Sequence, residues 1–171
     1  TCALPIFEWR RRNIEESKLQ RPQSRRIEDA KEATAENPKG FRFSDRSLRN
    51  LKGVHPTLAR VAKRAIQLSD VDFIITEGLR SRERQAQLVK AGASRTLNSK
   101  HLTGHAIDVV ALVDGKIRWD WPLLTRISKA FKEAAREQDV KITWGGDWKS
   151  FKDGPHFEID PKQYPFTDGD K

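Results

Sequence analysis

From residue 41 onwards, apolar residues recur with the periods of helices and strands. An apolar stripe at helical spacing follows Pro56, a residue type that often opens helices. Its members are Leu58, Val61, Ala62, Ala65, Ile66 and Leu68. Serine caps predict two shorter helices, over 44–51 and over 81–90, and Gly92 is a typical stop for the second. A fourth helix is predicted from about Pro122 to Glu137.

Short runs rich in β-branched and aromatic residues lie between these helices. They predict strands at VDFIIT (71–76), HAIDVVAL (105–112), KIRW (116–119), KITW (141–144) and HFEID (156–160). Asp114-Gly115 is a typical hairpin turn between the second and third runs, and 93–103 is predicted to be loop. Because strands and helices mix without regular alternation, the sequence predicts an α+β fold.

The first 40 residues follow a different pattern. They contain few apolar residues and charges of mixed sign, and they end in the breaker cluster Asn-Pro-Lys-Gly at 37–40. We therefore expect a charged, partly helical or flexible segment over 1–40, attached to a domain over 41–171. Residues 1–40 contain no candidate chemistry.

Composition narrows the class of protein. The chain has 171 residues, 36% hydrophobic and 33% charged, which suits one soluble domain. No apolar run approaches the roughly 20 residues of a transmembrane helix, and no signal peptide is visible in the residues given. The lone Cys2 excludes a disulfide framework and a cysteine-rich zinc site.

The net charge of +9 points to anionic partners, namely nucleic acid, a membrane surface or acidic wall polymers. A soluble basic surface without a specific partner is the alternative. We expect no nucleic-acid binding, because the chain lacks a basic helix and an aromatic-basic strand motif.

Candidate metal ligands lie in SKHLTGHAID, residues 99–108. A catalytic zinc usually has three protein ligands, and the helical signature H-E-x-x-H is absent here. Side chains alternate between the two faces of a strand, so Asp108 and His105 point to opposite faces. If Asp108 is a ligand, His105 is not, whereas His101 can turn towards Asp108 from the preceding loop.

The third ligand has to come from elsewhere in the chain. His55 precedes a proline at a helix start, where a surface histidine is unremarkable. His156 opens a strand, and Asp153 three residues before it can take a proton from a metal-bound water. Spacing alone leaves another interpretation open, in which His101, Asp108 and His156 have unrelated roles.

The motif H-x-x-G-x-A-x-D over 101–108, followed by D-x-x-H over 153–156, resembles the zinc peptidases of the D-Ala-D-Ala carboxypeptidase and dipeptidase superfamily. Together, SKHLTGHAIDVVA, EGLRSRERQ, DWPL and WGGDW resemble its L-alanyl-D-glutamate peptidase branch, typical of bacteriophage endolysins. The resemblance covers about 41–160. It implies a Hedgehog/DD-peptidase-like fold, a small antiparallel sheet with helices around it and a zinc site at the sheet.

The resemblance also implies roles for particular residues. One zinc ion is held by His101, Asp108 and His156, and Asp153 is the general base. Arg80 stabilises the oxyanion of a tetrahedral intermediate. Taken without the resemblance, an arginine there is more often part of a surface ion pair.

Five further residues are candidates for binding substrate or supporting the ligands. Glu77 orients Arg80, and Ser99 binds substrate or the loop backbone. Glu158 shares a face of the last strand with His156. Trp144 and Trp148 flank Gly-Gly-Asp, and both core packing and a wall of the substrate cleft remain open for them.

The resemblance implies a monomeric zinc peptidase that cuts peptidoglycan stem peptides, most simply at the L-Ala-D-Glu bond. Such an enzyme is made in the host cytoplasm and acts on the cell wall or periplasm during bacterial lysis. A D,D-carboxypeptidase of the same superfamily and a non-catalytic, zinc-containing wall-binding module are the alternatives.

Overall fold

The computed structural model describes residues 40–167, which form a small five-stranded sheet with helices packed around it. The helices are α1 (Asp45–Asn50), α2 (Pro56–Leu68), α3 (Arg82–Lys90) and α4 (Trp121–Glu137). The strands are β1 (Phe73–Glu77), β2 (Ala106–Val113), β3 (Lys116–Arg118), β4 (Thr143–Trp144) and β5 (His156–Glu158). Short 3-10 helices lie at Lys100–Thr103 and Gly145–Asp147. The predicted α+β class is confirmed.

All strand pairings are antiparallel, and β2 is central. The sheet runs in the order β1-β2-β5-β4, with β3 paired to the far end of β2. The β2–β3 turn has φ values of 51° at Asp114 and 74° at Gly115, the left-handed pair expected of a two-residue hairpin. In β2 and β5, Asp108 lies directly opposite His156 and Ile107 opposite Phe157.

One face of the sheet forms the hydrophobic core. Ile107, Val109 and Ala111 of β2 point into it, together with Phe157 of β5. The helices α2 and α4 pack together over this face, and Phe131 of α4 stacks on Phe157 at 4.0 Å between ring centroids. Full burial of such a ring stabilises the fold by about 1.5–3 kcal/mol. The opposite face is therefore left for polar side chains.

The helix caps form as the sequence predicts. Ser44 accepts a hydrogen bond from the Ser47 amide at the start of α1, and Ser81 accepts one from Arg84 at the start of α3. Two element predictions need correction. The run 141–144 contributes only Thr143–Trp144 as strand, and the loop 93–103 contains the 3-10 helix Lys100–Thr103.

The predicted N-terminal segment lies outside the described residues apart from Gly40, so the boundary at residue 40 stays a prediction. Within 40–167, no helix is both long enough and apolar enough to cross a membrane.

Candidate metal centre

His101, Asp108 and His156 come together on the polar face of the sheet. One ligand atom from each lies within 4.8 Å of the others, and all three residues are buried. His156 Nδ1 is 3.2 Å from Asp108 Oδ1, and His101 Nε2 is 3.5 Å from the same oxygen. Strand pairing places two of these side chains, because Asp108 and His156 are opposite neighbours on β2 and β5.

The third side chain, His101, is placed by the 3-10 helix before β2. Ser99 caps that helix by accepting a hydrogen bond from the His101 amide at 3.3 Å, so the Ser99 hydroxyl contacts the loop backbone. The ring Nδ1 of His101 lies 2.8 Å from the carbonyl oxygen of Gly78. A carbonyl can only accept, so Nδ1 carries a proton, and in the neutral imidazole Nε2 presents a lone pair to the cluster.

Glycine is required where this helix ends. Gly104 has a φ of +69°, and a Cβ at this position would lie 2.2 Å from the carbonyl oxygen of Gly53. Its own carbonyl accepts a hydrogen bond from the His55 amide at 2.8 Å. The glycine of the H-x-x-G motif thus lets the His101 loop pack directly on the segment before α2.

His156 lies between two carboxylates. Its Nε2 is 3.0 Å from Glu158 Oε2, and Lys100 Nζ donates to the other Glu158 oxygen at 2.9 Å. Burial lowers the pKa of His156, but hydrogen bonds to Asp108 and Glu158 outweigh it and raise the pKa to about 9 in the metal-free protein. For the acid Glu158 burial has the opposite sign and raises the pKa. Hydrogen bonds from His156 and Lys100 outweigh burial and bring the pKa of Glu158 below its ordinary value.

These residues fit a zinc ion. Two imidazole nitrogens and one carboxylate are a common donor set for catalytic zinc, which keeps a further position open. Among residues 40–167, His101 Nε2 is buried and makes no hydrogen bond, a costly arrangement unless something binds the lone pair. Contacts of the other ring nitrogens with Gly78 and Glu158 orient both rings, as is typical around metals.

Arg80 lies beside this cluster and is buried, with 6% of its surface exposed. The alternative interpretation, a surface ion pair, is correct about the pairing with Glu77 but not about the location, because Arg80 is buried. Its guanidinium donates to both oxygens of Glu77, at 3.0 and 2.5 Å, and Nη2 lies 3.6 Å from Asp108 Oδ2. Glu77 holds the Arg80 side chain, and the positive charge lies next to the ligand Asp108.

Asp153 is buried in the turn that leads into β5. The Asp153 amide donates to the Gly145 carbonyl at 3.0 Å, and its carbonyl accepts from the His156 amide at 3.2 Å. The Asp153 carboxylate is close enough to contribute to the raised pKa of His156. Asp153 is therefore a buried carboxylate whose charge acts on the candidate ligand His156.

The two tryptophans have different surroundings. Trp144 is part of the hydrophobic core, and its Nε1 donates to the Gly154 carbonyl at 2.6 Å. Its burial favours core packing as its role. Trp148 is half-buried, with its ring 5.2 Å from the ring of His156, so it borders the metal cluster.

The other two histidines form a separate pair on the far side of the His101 loop. His105 Nε2 donates to the Tyr164 carbonyl at 2.8 Å, and Nδ1 lies 2.9 Å from Thr103 Oγ1. His55 is also buried, 5.1 Å from His105 between ring centroids, so the expectation of a surface histidine is wrong. Its Nδ1 accepts from the Thr57 amide, which makes it the cap of α2. Phe166 packs on both rings and buries them.

Sequence reasoning missed Gln85, whose side chain is 1% exposed and accepts a hydrogen bond from Arg80 Nη1 at 2.6 Å. A signal was present. Ser81 caps α3, so Arg80 is the residue before the cap and Gln85 is the fourth helical residue. Hydrophobic residues at these two positions often pack together, which shows that the positions lie close to each other.

Comparisons with known proteins agree with this geometry. The family model described as phage L-alanyl-D-glutamate peptidase matches residues 39–169. The L-alanyl-D-glutamate peptidase of Escherichia phage T5 is 38% identical over 117 residues, covering 66% of this chain and 85% of that protein. The peptidoglycan L-alanyl-D-glutamate endopeptidase CwlK of Bacillus subtilis strain 168 is 33% identical over 133 residues, covering 63% of this chain and 74% of that protein.

A solved structure is similar as well. The L-Ala D-Glu endopeptidase ChiX of Serratia marcescens superposes with a TM-score of 0.70 at 47% identity, covering 78% of this chain and all of that chain. The resemblance drawn from the motifs is therefore confirmed, and the chain belongs to the phage L-alanyl-D-glutamate peptidase family.

Proposed function

We propose that this chain is a zinc-dependent endopeptidase that hydrolyses the L-Ala-D-Glu bond of peptidoglycan stem peptides. The observation that carries the proposal is the buried cluster of His101, Asp108 and His156, with the lone pair of His101 Nε2 directed into it. The names of its relatives support the choice of bond.

Three side chains would hold the metal: His101 through Nε2, Asp108 through its carboxylate and His156 through Nδ1. When bound, zinc would act as a Lewis acid that polarises the scissile carbonyl and lowers the pKa of a water to about 7. Side chains of the protein carry out proton transfer and stabilise the oxyanion.

Asp153 is the proposed general base. Its carboxylate takes the proton of the attacking water and passes it to the amine of the departing D-Glu residue. Burial next to His156 supports the role, because a carboxylate held at the cluster needs no large movement before it accepts a proton.

Arg80 is the proposed electrostatic partner of the oxyanion that forms when water adds to the carbonyl. Glu77 fixes the guanidinium plane, and the positive charge lies 3.6 Å from a ligand carboxylate. A preorganised charge in a buried site stabilises developing negative charge more than a mobile one in water.

Digestion of purified peptidoglycan tests the reaction. A new N-terminal D-Glu identifies the endopeptidase, whereas released D-Ala identifies a D,D-carboxypeptidase and refutes the proposed bond. Absence of both products from zinc-loaded protein that still binds the wall identifies a non-catalytic module.

Metal analysis tests the ligands separately from activity. We expect His101→Ala to lose zinc and His105→Ala to retain it, because His105 lies behind the loop, bonded to Tyr164 and Thr103. The reverse result would overturn the assignment. On this proposal the partner is the bacterial wall, reached after synthesis in the host cytoplasm, and we expect the protein to act as a monomer.

A further inference from the structure

Gln85 is a buried amide that joins two parts of the candidate site. Its Oε1 accepts from Arg80 Nη1 at 2.6 Å. Its Nε2 donates to Ser94 Oγ at 2.8 Å and to the Thr96 carbonyl at 2.6 Å. One side chain on α3 therefore holds both the guanidinium beside the metal cluster and the loop that follows the helix.

The chemistry of these partners admits one arrangement of the amide. A guanidinium can only donate and a carbonyl can only accept, so Oε1 has to face Arg80 and Nε2 has to face Thr96. Glutamate at position 85 keeps the acceptor but lacks the donor, and methionine has a similar length but replaces neither. Both the oxygen and the nitrogen of the amide are hydrogen-bonded, which explains how a glutamine can be buried to 1% exposure.

The loop held by Gln85 reaches the segment that contains the proposed base. The guanidinium carbon of Arg95 lies 4.3 Å from the centre of the Phe151 ring, two residues before Asp153. Leu97, in the same loop, is 61% exposed. The loop 94–97 thus contacts Gln85, which holds Arg80, and also Phe151, which lies two residues before Asp153.

We propose that Gln85 is a positioning residue with two separable effects: Oε1 orients Arg80, and Nε2 fixes the loop 94–97 as a wall of the peptide-binding cleft. The role of the loop as a cleft wall rests on the proposed peptidase function. The coupling of Arg80 to the loop through Gln85 rests on the hydrogen bonds alone. Loss of the loop contacts weakens peptide binding, whereas loss of the Arg80 contact slows turnover.

Three substitutions separate the two effects. Gln85→Glu keeps the acceptor for Arg80 and removes the donor to the loop, and Gln85→Met removes both. Ser94→Ala removes one of the two loop contacts of Gln85, together with the bonds of Ser94 Oγ to the Thr96 backbone. Gln87→Met is the matched control, because Gln87 is an exposed glutamine on the same helix.

The first readout is hydrogen exchange of the amides of 93–98 in zinc-loaded protein, which needs no activity. We expect Gln85→Glu to speed exchange there about tenfold, Ser94→Ala less, and Gln87→Met not at all. The second readout is kinetics on a soluble stem peptide. We expect KM to rise about tenfold in Gln85→Glu with kcat nearly unchanged, and kcat to fall about tenfold or more in Gln85→Met.

Recovery of kcat in Gln85→Glu relative to Gln85→Met supports the role of Oε1. Unchanged exchange of 93–98 in Gln85→Glu would overturn the inference, as would equal loss of kcat in both variants. If Gln85→Met does not fold, Gln85→Glu and Ser94→Ala still decide the question. If the wild type cleaves no peptide, the proposed function fails, and the exchange measurement alone decides whether Gln85 fixes the loop.

Discussion

Replacement of Gly104 by alanine should destabilise the protein through one identifiable contact. The residue has a φ of +69°, and the added Cβ would lie 2.2 Å from the backbone oxygen of Gly53. An ordinary contact is more than 1 Å longer, and neither partner is a flexible side chain that could move away. The backbone has to shift, which also strains the hydrogen bond from the His55 amide to the Gly104 carbonyl.

The magnitude has three sources. Left-handed backbone costs alanine about 1–2 kcal/mol, over-packing costs about 1–3 kcal/mol and a weakened hydrogen bond costs about 1 kcal/mol. We therefore expect a loss of about 3–6 kcal/mol in the free energy of unfolding. Gly115→Ala is the matched control, since Gly115 has a φ of +74° and nothing within 4 Å of an added Cβ. That variant should lose only about 1–2 kcal/mol.

Urea unfolding in the presence of a chelator measures both variants without a contribution from bound metal. Zinc titration of the folded proteins should then show weaker binding for Gly104→Ala alone, because His101 is part of the displaced loop. Equal losses of stability in the two variants would show that the Gly53 contact is not a constraint and would refute the reasoning.

Three further predictions concern other parts of the chain. Asp153→Asn should retain zinc and fold while kcat on soluble stem peptide falls by about 10²–10⁴-fold; near-normal kcat would move the role of base to another carboxylate. His156 has a pKa of about 9 in the metal-free protein, above its ordinary 6.5. Its stabilisation of the metal-free fold is therefore full below about pH 6.5 and lost as pH rises through 9. Zinc has to displace that proton, so zinc affinity should rise by up to about tenfold per pH unit between 6.5 and 9. Calorimetry in buffers of different ionisation enthalpy checks this, and binding without proton release would contradict it. A chain that starts at Gly40 should fold, bind zinc and cleave soluble peptide at the full rate, because residues 1–40 contain no proposed ligand or catalytic residue. Its activity on intact walls at low salt should fall, because the clustered arginines at 10–12 and 25–26 are removed. An unfolded truncated protein would show that the boundary is wrong.

The sequence predicts the elements whose signals are local. Pro56 and the apolar stripe behind it define α2, and Asp114-Gly115 defines the β2–β3 hairpin. Strand alternation separates Asp108 from His105, and the structure places the two on opposite sides, with His105 bonded to Tyr164. These inferences need only the period of a strand or helix.

Contacts between distant segments are less accessible from sequence. His55 is buried because Phe166, more than a hundred residues later, packs on its ring, and nothing near His55 indicates this. Trp144 lies in the core because it stacks beside Phe157, which its position next to Gly-Gly-Asp does not reveal. Gln85 is intermediate: helix-cap spacing brings it near Arg80, but its contact with Thr96 depends on how the following loop folds back.

The three candidate ligands differ in how firmly the fold holds them. Asp108 and His156 sit on paired strands in the middle of the sheet, whereas His101 belongs to a single turn of 3-10 helix. A bound ion can therefore escape most readily when that turn opens and only two ligands remain. With increasing chelator, the rate of zinc loss should reach a plateau equal to the opening rate of the turn. The plateau rate of metal dissociation would then measure how fast the loop 99–104 opens.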